Sequence, residues 1–383
     1  MAAASLPSTG ATSSTLPLRV LLVDLATRFG GPETRVLSQA TALQGTVEHC
    51  AVAVARGSPL HERLTEAGIP SEPIAPGRAD PRILLELRRV IRSGRYQVVD
   101  AHNIQSIVWG HLAAFLAGAR GRVTTVHSDY GEEYRGLRSV AYPTAFAMIR
   151  PITREFVQVT EHLQENAERR GDGSRSTLIH NAVPVRGLRV EGTAAADRSQ
   201  WGWESSDFVV AVVGRLYGVK GHAYAIDALA RLSDLPRVKL LIVGDGPLRS
   251  ELAERVATLG LTERVRFLGY RADVPRILES VDCVCLPSLW ELLPYAALEG
   301  AAHALPIIAT SVGGVPRMLA DGETALLVPP ADAAALADAI RSLATHPDEA
   351  LGLGRAAQAM VRSSFSVEEM LRKTLEVYRR SVG

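Results

Sequence analysis

The chain has 383 residues, 47% of them hydrophobic and 22% charged, a globular composition with room for about two domains at roughly 150 residues each. With 42 Lys+Arg against 41 Asp+Glu the net charge is +1, which lacks the surplus of cations needed to neutralise nucleic-acid phosphates. No stretch approaches the roughly 20 apolar residues that a membrane-spanning helix needs, so the expectation is a soluble or at most peripheral protein.

Residues 1–17 lack a basic region and a long apolar core and read as a disordered tail, neither signal peptide nor anchor. Short Val-, Ile- and Leu-rich runs then alternate with helical patterns. Strands are expected at Arg19–Leu25, Cys50–Ala55, Gln97–Ala101, Val123–His127, Phe156–Thr160 and Thr177–His180. Helices are expected at Thr34–Leu43, Pro81–Ser93, Ile104–Ala117 and Glu161–Arg170. Residues 18–190 form the first expected domain, and 191–206, polar and without an apolar period, the linker.

The rhythm repeats in a second domain over 207–365. Its strands fall at Phe208–Val213, Lys239–Val243, Arg266–Gly269, Cys283–Leu286, Ile307–Ala309 and Ala325–Val328. Its helices fall at His222–Leu232, Leu248–Leu259, Val274–Glu279, Pro294–His303 and Ala331–Ala344, and residues 366–383 close the chain as a helix returning to the first domain. Continuously apolar strands separated by helices mark parallel sheets buried on both faces. Two such domains predict a ligand cleft between them, beyond the C-terminal ends of the strands.

Charge and rare residues sharpen the search for that ligand. Residues 1–190 hold 22 basic against 17 acidic side chains, all of the basic ones arginine, and 191–383 hold 20 against 24. Lys220, Lys239 and Lys373 are the only lysines, so a lysine inside a motif is informative. Three cysteines, Cys50, Cys283 and Cys285, cannot pair completely and fit a reducing compartment.

Gly30 and Gly31 stand between the first strand and a helix, where free amides can meet an anion, although a simple turn explains them equally well. After the strand Phe208–Val213 come Gly214-Arg215-Leu216 and Gly218-Val219-Lys220-Gly221. Two cations five residues apart can reach one diphosphate, Arg as a fork and Lys as a point charge; solvated surface cations are the bland alternative. Gly244-Asp245-Gly246-Pro247 repeats the glycine turn and is weak alone. In Trp290-Glu291-Leu292-Leu293-Pro294-Tyr295-Ala296-Ala297-Leu298-Glu299, Glu291 marks a helix start and Glu299 lies about two turns along the same face, both able to accept bonds from sugar hydroxyls. Gly313-Gly314-Val315-Pro316 follows another strand.

In this order, together with His127-Ser128-Asp129 after a strand, these motifs resemble the family-4 glycosyltransferases, retaining nucleotide-sugar enzymes of the α/β GT-B fold, with two Rossmann-like parallel-sheet domains facing each other across a cleft. The resemblance spans about residues 18–380 and is most specific over 208–330. It implies that Arg215 and Lys220 bind the donor diphosphate and stabilise the leaving group. Glu291 then lies near the transferred sugar, Glu299 binds the ribose hydroxyls, Gly30 and Gly31 lie near the phosphates or acceptor, and His127 contacts the donor sugar. Gly214, Gly244, Leu293, Pro294 and Tyr295 complete the implied donor site. The first domain is expected to bind the acceptor and the second the donor.

Three departures bear on donor identity. Leu292, Leu293 and Pro294 replace a glycine-containing stretch and remove a backbone donor. Arg317 stands where the family's glycine motif usually ends in glutamate, and Ala182 replaces the glycine usual after Asn181. The resemblance implies sugar transfer without metal or other cofactor, from a UDP- or GDP-sugar to a sugar, glycan or lipid-linked acceptor in the cytoplasm. No Asp-x-Asp and no Cys/His cluster at metal spacing is present. Arg135, Arg138, Arg150 and Arg154 around Val140, Tyr142, Phe146 and Ile149 suggest either peripheral contact with an anionic membrane, on its inner face, or a plain core helix broken by Pro143 and Pro151. A sugar-nucleotide epimerase of the same fold and a non-catalytic sugar-nucleotide-binding subunit are the rival functions; a periplasmic binding protein fits poorly without a signal peptide.

Overall fold

The computed structural model describes residues 16–75, 80–129, 138–184 and 198–383. They form two compact units, one of residues up to Gln158 with Ala167–Thr177 and Leu371–Gly383, the other of Val159–Asn166 and Leu178–Met370.

In the first unit the strands are β1 (Leu16–Asp24), β2 (Val47–Ala55), β3 (Ser71–Ile74), β4 (Val98–Ala101), β5 (Gly121–Val126), β6 (Glu155–Gln158) and β7 (Ser176–Leu178), in the sheet order β3-β2-β1-β4-β5-β6-β7. The ladders from β3 through β6 are parallel, with Val20 opposite both Cys50 and Val98. β1 begins at Leu16, so Leu16 and Pro17 belong to the sheet and not to the expected tail. Helices α1 (Gly31–Leu43), α2 (Pro59–Glu66), α3 (Arg82–Ser93) and α4 (Ile104–Ala117) connect the strands. α3 is amphipathic: Ile83, Leu87 and Ile91, four apart, are its buried residues.

The expected α-helices were too few. α2 starts at Pro59 behind Ser58, whose side chain accepts from the amide of His61 at 3.3 Å, an N-cap signal that the sequence carried. α5 (Arg138–Ile149) runs through Pro143 and ends in a 3-10 turn at Arg150–Ile152. Phe146 and Ile149 are buried, which makes α5 at least in part a core helix, while Val140 and Met148 are exposed and Arg150 is tied to Asp172 at 2.8 Å. Arg135 lies outside the described residues. α6 spans Glu161–Arg169.

The second unit holds β8 (Phe208–Val213), β9 (Val238–Val243), β10 (Val265–Gly269), β11 (Cys283–Leu286), β12 (Ile307–Thr310) and β13 (Leu326–Val328), all parallel, in the order β10-β9-β8-β11-β12-β13. Alternating strand residues feed two cores. Val209, Ala211, Leu241, Val284 and Ile307 enter one, and Val210, Val212, Leu240, Cys283 and Ile308 the other, as a sheet covered on both faces requires. The covering helices are α7 (His222–Ala230), α8 (Arg249–Thr258), α9 (Val274–Leu278), α10 (Tyr295–Ala302), α11 (Val315–Met318), α12 (Ala333–Thr345) and α13 (Pro347–Ser364). α13 was not expected as a separate helix. It packs so closely that a Cβ on Gly354 would lie 2.1 Å from the carbonyl oxygen of Ala304.

Part of the expected linker, 191–197, lies outside the described residues; its remainder packs in the second unit. Arg198, buried, donates to the carbonyls of Ser280, Ser205 and Asp207 and pairs with Asp282 at 2.8 Å, and Trp201 and Trp203 enter the core. The last helix, α14 (Val367–Val382), carries the chain back into the first unit from Leu371. Cys50, Cys283 and Cys285 are buried free thiols, and burial pushes Cys50 and Cys285 up to about 12, so they are packing residues and not nucleophiles.

Candidate functional site

In an open parallel sheet, a crevice forms where strand order reverses, because successive connections leave in opposite directions. In the second unit that point lies between β8 and β11. The loop after β8 carries Arg215 and Lys220, and the loop after β11 carries Glu291. There Lys220 Nζ donates to Glu291 Oε1 at 2.6 Å, and Ser288 Oγ donates to the same oxygen at 2.8 Å. Glu291 is 8% exposed; a carboxyl group that buried needs such donors to offset its lost hydration.

Backbone contacts hold these loops together. The amide of Leu289 donates to the carbonyl of Val219 at 2.7 Å, and that of Gly314 to the carbonyl of Glu291 at 2.9 Å. Gly313, at φ +52°, has room for no side chain, since a Cβ would sit 2.0 Å from the Glu291 carbonyl oxygen. Gly244, at φ +143°, is likewise closed by the Gly214 carbonyl at 2.0 Å. The glycine turns thus serve first to let neighbouring strand-end loops touch.

Arg215 is exposed and lies over the Tyr217 ring, 5.3 Å from its centroid, on the same loop as Lys220. Gly214 follows β8, its amide bonded to the Val243 carbonyl at 2.9 Å. Pro294 caps α10, so Leu293 precedes the helix and Tyr295 opens it. Glu291 therefore sits in the loop, four residues before the helix, and shares no helical face with Glu299, which is half-buried inside α10. The spacing of eight arises from a loop fixed by Ser288 and Gly314, not from helical periodicity.

In the first unit the order reverses between β1 and β4. Gly30 caps α1 in an extended conformation (φ −166°), and the helix opens at Gly31, three residues earlier than expected, with Pro32 in its first turn. At the end of β1, Asp24 is fully buried; its Oδ1 accepts from Asn103 Nδ2 at 2.7 Å and from the Ala26 amide at 2.9 Å. Burial raises the Asp24 carboxyl to about 6. His127 follows β5, and its Nε2 lies 3.1 Å from Nδ1 of His102, which follows β4. Burial lowers His102 to about 3 and His127 well below the usual histidine range, so both rings are neutral at pH 7.

Two family models match the chain: glycosyltransferase family 4 over residues 29–186 and glycosyl transferases group 1 over 207–346. A D-inositol 3-phosphate glycosyltransferase of Mycobacteroides abscessus is 31% identical over 326 residues, covering 78% of this chain and 69% of that protein. The chain belongs to the family-4 glycosyltransferases. A UDP-Gal:alpha-D-GlcNAc-diphosphoundecaprenol alpha-1,3-galactosyltransferase of Escherichia coli is 28% identical over 243 residues, 61% of this chain and 63% of that one, so the match spans less than two thirds of that relative. Among solved structures, Anabaena Alr3699/HepE in complex with UDP and glucose superposes with a TM-score of 0.82 at 23% identity, covering 94% of this chain and 98% of that one, which shows the shared GT-B fold.

In this family-4 glycosyltransferase, Lys220 and Glu291 are conspicuous in the sequence, whereas the surroundings of His127 are not. Asp100 is fully buried in the four-residue strand β4. It accepts from Tyr378 Oη at 2.7 Å, Gln39 Nε2 at 3.0 Å and Thr125 Oγ1 at 2.9 Å. A charged residue inside an otherwise apolar strand was the available signal. Arg317, the departure from the family's glutamate, forms an exposed bidentate pair with Glu165, at 2.7 and 3.4 Å.

Proposed function

We propose that this family-4 glycosyltransferase moves a sugar from a UDP- or GDP-linked donor to a hydroxyl acceptor, with retention at the anomeric carbon and without a metal ion or other cofactor. The observation that carries the reading is the Lys220–Glu291 pair, 2.6 Å long, at the switch point of the second sheet. An ammonium has three donors. One goes to Glu291, and two are left for diphosphate oxygens. Arg215, exposed on the same loop, adds a planar fork. Fixed cations stabilise the charge that develops on a leaving diphosphate, the role a metal ion plays elsewhere.

In the proposed step the acceptor oxygen bonds to the anomeric carbon on the face from which the diphosphate departs. The carbon–phosphate-oxygen bond breaks with its electron pair staying on the phosphate, and the acceptor's proton passes to that oxygen. Glu291 lies near the transferred sugar, Glu299 takes the ribose hydroxyls, and His127 meets a sugar hydroxyl. The arginine-rich first unit is assigned the acceptor.

A panel of UDP-, GDP- and ADP-sugars, screened by thermal shift and then by nucleotide release with and without hydroxyl acceptors, tests the proposal. Nucleotide release that requires an acceptor supports it. Donor interconversion without an acceptor identifies an epimerase, and binding without turnover a non-catalytic subunit. Product of inverted anomeric configuration rules out retention, and activity lost in chelator and restored by Mn²⁺ rules out metal independence.

A further inference from the structure

His127 and His102 share one hydrogen bond, and which ring supplies its proton decides what His127 can offer a ligand. With both rings neutral, a single proton lies between His127 Nε2 and His102 Nδ1, 3.1 Å apart. If His102 supplies it, His102 Nε2 is a bare lone pair and His127 carries its own proton on Nδ1. If His127 supplies it, His102 carries its proton on Nε2, and His127 Nδ1 is a free acceptor.

The surroundings of His102 Nε2 distinguish the two. This buried atom has no hydrogen-bond partner among the described residues and lies 3.6 Å from Asp100 Oδ2. That is too long for a hydrogen bond but short enough for a strong field between two fully buried side chains. Asp100 is ringed by donors, Tyr378, Gln39 and Thr125. Arg35, fully buried and bonded through Nε to Gln39 Oε1 at 3.0 Å, adds a positive charge whose field lowers the Asp100 carboxyl. Burial raises the Asp100 carboxyl above the usual carboxylate range, and the bonds from Tyr378, Gln39 and Thr125 and the charge of Arg35 oppose that rise; with Asp100 the acceptor in all three bonds, its oxygen facing His102 Nε2 favours a proton there.

We infer that Asp100 is a positioning residue: through His102 it holds His127 as the Nε2–H tautomer, leaving Nδ1 to accept a hydrogen bond from a sugar hydroxyl. The inference rests on the proposed function for the identity of the ligand only. The same logic governs any buried carboxylate–histidine pair, where the carboxylate selects the tautomer of the ring that does the work. Tyr378 ties this device to the C-terminal helix, since its hydroxyl bridges Gln39 and Asp100.

Nitrogen-15 NMR of histidine-labelled protein reads the tautomer without reference to turnover. The wild type is expected to show His127 protonated on Nε2 and bare on Nδ1; the opposite tautomer overturns the inference. Asp100→Asn removes the charge facing His102 Nε2, while the amide oxygen can still accept from Tyr378 and Gln39. It is expected to shift the His127 proton from Nε2 towards Nδ1 and to lower kcat by about tenfold, one hydrogen bond's worth, with the affinity for UDP or GDP alone unchanged. A shifted tautomer with wild-type turnover, or an unshifted tautomer, overturns the positioning role. If Asp100→Asn does not fold, His102→Phe removes the intermediary instead. His127 should then show mixed tautomers, and a fixed Nε2–H form in that variant overturns the inference. Should no donor sugar be transferred by the wild type, the functional reading fails while the NMR result still decides the tautomer.

Discussion

Lys220 and Glu291 are 71 residues apart in the chain and 2.6 Å apart in space. Adjacent parallel strands β8 and β11 deliver their loops to the same end of the sheet, and Gly221 lets the loops touch: a Cβ there would lie 1.9 Å from the Pro287 carbonyl oxygen. The ion pair is therefore a product of topology and one glycine.

Lys220→Ala tests the chemical half of that statement. Removing the cation is expected to cut turnover by about 10²–10³-fold, the scale of one preorganised donor at a developing anion. Glu291 keeps its bond from Ser288, so the variant should fold. Steady-state kinetics with circular dichroism as the folding control decides it, and wild-type turnover removes the diphosphate assignment.

Gly221→Ala tests the structural half. At φ +65°, with a backbone oxygen in the way, the methyl must force the two loops apart. Strain and clash together are expected to cost about 3 kcal/mol in urea denaturation and to lower donor affinity. Gly218→Ala, three residues away with nothing within 4 Å of its Cβ, is the control and should change stability by less than about 0.5 kcal/mol. Equal effects of the two substitutions would contradict the loop-contact explanation.

Much of this architecture was legible because buried parallel strands write continuous apolar runs. Phe208–Val213 and Cys283–Leu286 match the observed strands residue for residue. Lys220 stood out through the rarity of lysine. Less legible were contacts between elements distant in sequence. Nothing local to Tyr378 announces a bond to Asp100, 278 residues away, because its hydroxyl meets that carboxylate only after the last helix returns to the first unit. The spacing of Glu291 and Glu299 misled for the opposite reason: it fits helical periodicity by accident, and Pro294 starts the helix after the first glutamate.

Tyr378→Phe measures how much that return contributes. The ring is fully buried, and its hydroxyl both donates to Asp100 and accepts from Gln39 at 2.6 Å. Phenylalanine fills the same space but leaves two buried polar groups each short of a partner, at an expected cost of about 1–3 kcal/mol. Chemical denaturation reads it directly; a variant as stable as wild type would mean that packing alone docks the helix.

Asp24 makes stability depend on pH in the direction opposite to most carboxylates. Burial raises its carboxyl from 3.8 unfolded to about 6 folded, so between those values the folded state binds the extra proton. Its contribution is fully present below about pH 4, falls as pH rises, and is gone above about pH 6, a change of roughly 3 kcal/mol in all. Asp24→Asn keeps an oxygen to accept from Asn103 and from the Ala26 amide but cannot ionise. Any cost of its new amide N–H₂, placed where Oδ2 has no partner among the described residues, is independent of pH. Relative to the variant, wild-type stability should therefore decline from about pH 4 to about pH 7. Urea denaturation of both proteins across that range supplies the comparison. Parallel profiles would show that Asp24 titrates alike in the folded and unfolded chain, and the switch point of the first sheet would then hold an ordinary carboxylate.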